Sequence, residues 1–224
     1  MTISAPAIAS DDQDVPQLVI IPIECMQFAP IVGDPTSATG WNNVLSFAGC
    51  IQDASALRVD RADELDALVE QMEEALEPSL AYYAAAIEYG PGPVKLRAAY
   101  QVGSGLVALI TRARASIVAP ADLAMPATAV RYHELHARLE PLLEPHAKLA
   151  WLIFVAIEHA VGSDPELASD VVMSNMVRSA RELAVQLGTS LSALPDETEP
   201  RRTVWPTFMS SILTSKSQIA GSPN

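Results

Sequence analysis

Residues 149–157 read LAWLIFVAI, an unbroken apolar run with Lys148 before it and Glu158 and His159 after it. A helix needs about 20 apolar residues to cross a bilayer, so this run is too short to span one. A helix that is apolar on every side and not in lipid belongs in the middle of a core, covered by neighbours on most faces. The run therefore predicts an all-α bundle built around Trp151 and Phe154.

Helical spacing continues on both sides of this segment. Trp41, Val44, Leu45, Ala48 and Ile51 recur at the i, i+3, i+4 interval of one helical face, as do Leu65, Leu68, Val69, Met72 and Leu76. Asp60 reads as an N-cap for the second of these, and Pro78 is expected to kink or interrupt it. Gly90-Pro91-Gly92-Pro93 is a hard stop, and a further helix is expected over residues 93–118. The next starts near Ala127 and meets Pro141 and Pro145 before the core run, which ends at Gly162. Asp164-Pro165-Glu166 combines an N-cap, a proline at the first helical position and an acid in the first turn, predicting one long helix to Gly188.

The expected organisation is an extended N-terminal segment over residues 1–32 packed on the bundle, a bundle of five to six main helices with proline kinks over 33–194, and a flexible tail over 195–224. Within the first part, residues 18–23 have the β-branched density of a strand. Pro16, Pro22 and Pro30 deny it a central place in a sheet, so it is expected to lie across the helices as a cover.

Charge bears on both pairing and partners. Residues 60–77 carry eight acids, whereas Lys95, Arg97, Arg112 and Arg114 lie in a stretch with no acid between Glu88 and Asp122. Neighbouring elements of opposite sign joined by a Gly-Pro turn are expected to pack antiparallel. The net charge of −13 argues against a nucleic-acid partner and favours a basic protein. No positively charged n-region precedes an apolar stretch before Arg58, so a cytoplasmic location is expected. In that compartment Cys25 and Cys50 are expected to be buried free thiols, a Cys25–Cys50 bridge being the alternative in an oxidising one.

Motifs for chemistry are thin. His133 and His136 stand at i and i+3, whereas the zinc-protease pattern needs i and i+4. Together with Glu140 they share a face that a metal would need to supplement from elsewhere. Glu158 follows the apolar run, where desolvation would suit a general acid, but a helix end returning to water is the simpler account. Neither cysteine has a basic neighbour in sequence, and no serine sits in a G-x-S-x-G context. No catalytic residue, metal or cofactor is therefore assigned.

The last predicted helix is irregular. Met173, Met176, Val177, Ala180, Leu183, Ala184 and Leu187 form its core stripe, while Leu167 and Val171 point almost opposite to Ala180. Either the N-terminal segment covers that second side or it binds a partner. Trp205 and Phe208, in the apolar cluster of the tail, are a second candidate anchor. The leading expectation is a non-enzymatic interaction module, an adaptor, inhibitor or chaperone-like protein, with Leu167, Val171, Trp205 and Phe208 as partner-binding residues. Two alternatives stand beside it. One is a small-molecule-binding bundle with a cavity at Tyr100, Trp151 and Phe154, given polarity by Glu158 or Arg97. The other is self-association as the structural subunit of a homo-oligomer.

Overall fold

The computed structural model describes residues 23–28, 38–56, 65–117, 125–189 and 191. These residues form a short 3-10 helix, Ile23–Phe28, followed by α1 (Ala38–Ala56), α2 (Leu65–Tyr89), α3 (Gly92–Ser116), α4 (Pro126–Gly162), α5 (Pro165–Ser169) and α6 (Val171–Gly188). No strand occurs among the described residues, and no helix among them is long and apolar enough to cross a membrane. The fold is all-α.

Each long helix packs on its predecessor, and α3 also touches α1 and α6. The tight turn at Gly90 and Pro91 folds α3 back antiparallel on α2. Gly90 N–H donates to the Ala86 carbonyl at 3.0 Å, and a Cβ on Gly90 would fall 2.4 Å from that same oxygen. Only glycine fits the close passage.

The core has two hubs. On α4, Ala150, Trp151, Ile153, Phe154 and Ile157 are buried, while Leu149, Leu152 and Val155 are half-buried against the same cluster. The second hub is α3, which buries Leu96, Ala98, Ala99, Val102, Leu106, Leu109 and Ile110 among others. Its small residues are what admit the neighbours. The Phe154 ring sits where a side chain on Gly103 would be, 2.8 Å from its Cβ position. Fully burying each large aliphatic or aromatic side chain contributes about 1.5–3 kcal/mol, so these two helices supply much of the driving force.

Prolines interrupt less than expected. α2 runs through Pro78, and α4 runs through both Pro141 and Pro145 to reach 37 residues. Pro141 and Pro145 are exposed and lie one helical turn apart. Ala137, whose carbonyl loses its amide donor at Pro141, and Pro141, whose carbonyl loses its donor at Pro145, are both exposed, so water can replace the missing bonds.

The basic side chains of α3 reach in several directions. Arg97 donates to Asn42 on α1 at 2.6 Å, Lys95 to the Glu88 carbonyl at 3.3 Å, and Arg114 to Glu140 on α4. Apolar packing along α3 carries the α2–α3 pairing.

Two expectations about the N-terminal segment need correction. Its described part is a 3-10 turn rather than extended chain, and Cys25 and Cys50 are joined in a disulfide rather than free. The bridge spans a Cα–Cα distance of 5.6 Å and fastens the turn to α1. Around it lies a second small core in which Cys25, Phe47 and Ile51 are buried and Phe28 and Tyr82 are half-buried. Phe47, Cys50 and Ile51 follow the i, i+3, i+4 interval, so α1 carries a second apolar face beside the one that meets the main core. Covering that face brings the two cysteines together. The tail over 195–224 lies outside the described residues.

Candidate functional site

The α5–α6 junction replaces the single long helix expected from Asp164 to Gly188. Asp164 Oδ1 accepts from the backbone N–H groups of Glu166 and Leu167, at 2.9 and 3.3 Å. Six residues later Asp170 repeats the device, accepting from Val172 N at 2.7 Å and Met173 N at 3.1 Å. A second N-cap so soon after the first ends α5 and starts α6 on a new axis. The change of direction separates the two residues expected to share a face. Leu167 is half-buried and packed on the main core, whereas Val171 is 73% exposed. Val172, not anticipated, is 61% exposed beside it. Val185 is 64% exposed, on the same side of α6 as Val171, with Ser174, Asn175, Arg178 and Glu182 between them. Trp205 and Phe208 lie outside the described residues.

The two glutamates suspected of chemistry, Glu140 and Glu158, are engaged in ion pairs. Arg181 on α6 donates from Nε to Glu158 Oε1 at 3.1 Å, and this hydrogen bond and the carboxylate's charge hold the guanidinium pKa above its ordinary value. Glu158 thus ties α4 to α6. Glu140 is gripped by Arg114 through Nε and a terminal nitrogen, at 2.9 and 2.7 Å. His133 is exposed, and His136 is turned edge-on to the Tyr132 ring with centroids 4.6 Å apart. Among the described residues no three His, Cys, Asp or Glu side chains are grouped to hold a metal.

The region of Tyr100, Trp151 and Phe154 is packed. Trp151 and Phe154 are 6% and 1% exposed, and the Tyr100 and Phe154 rings lie 6.0 Å apart. Phe154 occupies the room that Gly103 leaves. Arg97 turns to Asn42 and Glu158 to Arg181, so neither lends polarity to a cavity there.

An open groove of about 510 Å³ lies between the 3-10 helix, α1 and α3. Glu24, Phe28, Gly49, Cys50, Asp53 and Gln101 are among its walls. Behind Gly49 is a polar layer in which Tyr83 Oη, Gln52 Oε1 and Gln101 Oε1 are buried without a hydrogen-bond partner among the described residues. Gln52 Nε2 makes a long bond of 3.4 Å to the Gln101 carbonyl. Burial, and then the nearby Asp53 charge, push the Tyr83 phenol pKa well above its usual value. This groove escaped the sequence reading because three separate elements build it. Its one trace in sequence is the set Gly49, Cys50 and Asp53 on a single α1 face.

No protein-family model matches the chain, and no curated protein or solved structure matches it either.

Proposed function

We propose that the chain is a non-enzymatic interaction module that recognises a basic protein partner. The observation that carries this reading is the Val171–Val172 pair, two branched apolar side chains left in solvent at the start of a capped helix. The formal charge of −13 supports a basic partner, which such a surface steers in at low ionic strength. The engagement of Glu158 and Glu140 in ion pairs and the close packing around Phe154 weigh against the small-molecule alternative. The Cys25–Cys50 bridge favours an oxidising compartment over the cytoplasm, since reducing compartments keep such thiols apart.

The structure guides the choice of variant. Leu167 packs on the core, so aspartate there would perturb the fold as well as any interface. Val171 and Val172 occupy the first turn of α6, where aspartate complements the positive end of the helix. The Val171→Asp, Val172→Asp variant is therefore expected to fold normally. Affinity capture from the native source should retain a basic polypeptide on the parent protein. Recovery should fall between about 50 and 500 mM salt and drop sharply for the variant. Light scattering of the purified protein distinguishes self-association, which would appear as a dimer that the variant dissociates. Equal recovery by parent and variant, with both monomeric, would remove Val171 and Val172 from the account.

A further inference from the structure

We propose that residues 192–198, which directly follow the last described residue, run extended along an exposed face of α4 and donate backbone N–H groups to two of its carbonyls. The inference goes beyond the interaction-module reading and does not depend on it.

The face is defined by the two prolines. α4 is continuous through Pro141 and Pro145, so the carbonyls of Ala137 and Pro141 have no amide donor four residues on. Both residues are exposed, and both line a groove of about 270 Å³ that Arg114, Leu143 and Leu191 also wall. Below Ala137 the same side of the helix continues through His133, Val130 and Pro126, all exposed. Arg114 meets Glu140 two residues before α3 ends, so the first three turns of α4 run on past α3. No described residue of α4 before Leu139 is buried.

The position of Leu191 names the occupant. α6 runs antiparallel to α4, with Arg181 at Glu158 and Leu191 beside Pro141. Chain that leaves Leu191 in the same direction meets Ala137 next, then His133 and Val130. Seven extended residues span about 23 Å, and the helix from Pro141 back to Pro126 is about 22 Å long. Residues 192–198 therefore suffice to follow the whole face.

Spacing fixes the register. Carbonyls four residues apart on a helix are about 6 Å apart along its axis, and amides on one side of an extended chain recur every 6.6–6.8 Å or so, roughly the same interval. The Ser192 N–H then faces the Pro141 carbonyl, and the Leu194 N–H faces that of Ala137. Pro195 brings no donor, and none is needed, because the His133 carbonyl keeps its helical partner in the Ala137 amide. So docked, the segment carries Trp205 and Phe208 towards the Met125 end of α4, whereas Val171 and Val172 start α6 at the Gly162 end.

Amide hydrogen exchange in the full-length oxidised protein tests the two contacts separately. In the parent, Ser192 and Leu194 should exchange about tenfold or more slowly relative to an unstructured peptide, and Ala193 at the peptide rate. Pro141→Ala returns a donor to the Ala137 carbonyl, and Pro145→Ala returns one to Pro141. Alanine suits a helix at these exposed positions, so both variants should fold. Pro141→Ala should lower the protection of Leu194 more than that of Ser192, and Pro145→Ala should do the reverse. Peptide-like exchange of both amides in the parent would overturn the proposal. Protection that neither variant lowers would overturn it too, since that is the result if these residues simply prolong α6. Protection lost on dilution to the monomer would give the face to a second copy's segment and overturn the assignment to this chain.

Discussion

Phe154→Ala is expected to destabilise the protein by about 3–5 kcal/mol, the range for deleting a large aromatic side chain from a closed core. Phe154 is 1% exposed and lies against Gly103 on the facing helix, so its loss leaves a void between the two most buried helices. The same contact makes a second result specific. Gly103→Ala normally improves a helix by about 1 kcal/mol. Here the added Cβ would approach Phe154 Cε1 to 2.8 Å and Ile153 Cγ2 to 3.3 Å. Overpacking of that kind costs about 1–3 kcal/mol, so Gly103→Ala alone should be net destabilising. In a Phe154→Leu background the clash is relieved and Gly103→Ala should become neutral or stabilising. Urea unfolding of the four proteins measures the coupling. Additive effects of the two substitutions would show that Phe154 is not seated on Gly103.

The second large effect concerns the bridge. Cys25 and Cys50 are 25 residues apart, and cross-linking a loop of that size contributes about 3–4 kcal/mol in the chain-entropy description. Cys25→Ala, Cys50→Ala is expected to lose most of this stability. Reductant should lower the unfolding midpoint of the parent towards that of the variant, and leave the variant unaffected. The loss should include the small core of Phe47, Ile51 and Tyr82, where Phe47 meets Tyr82 edge-on with centroids 5.0 Å apart. Two titratable thiols in the native unreduced protein, or equal stabilities of parent and variant, would contradict the pairing.

Much of the bundle was legible because its signals are local. The all-round apolar run at Trp151, the Gly90-Pro91 stop and the Asp164-Pro165-Glu166 start each depend on residues adjacent in the chain. The errors arose where tertiary placement decides. Pro141 and Pro145 look like breaks until their position on the wet side of α4 is known. Asp170 resembles an ordinary polar residue on a helix surface, yet its carboxylate starts a new helix and sends Leu167 inward while Val171 stays out. The cysteines were read from compartment rather than from shape. The second stripe of Phe47, Cys50 and Ile51 was present in the sequence and implied a cover. The groove was the least accessible, since Glu24, Asp53 and Gln101 come from three elements whose arrangement no local pattern encodes.

Enclosure of Trp151 by this chain's own helices supports every other statement about the fold, and a single-tryptophan protein addresses it directly. With Trp41 and Trp205 replaced by phenylalanine, Trp151 is the sole indole. Its emission should be blue-shifted and resistant to acrylamide, and identical across protein concentrations at which light scattering finds a monomer. A red-shifted, readily quenched emission, or protection that appears only when chains associate, would contradict a core closed within one polypeptide.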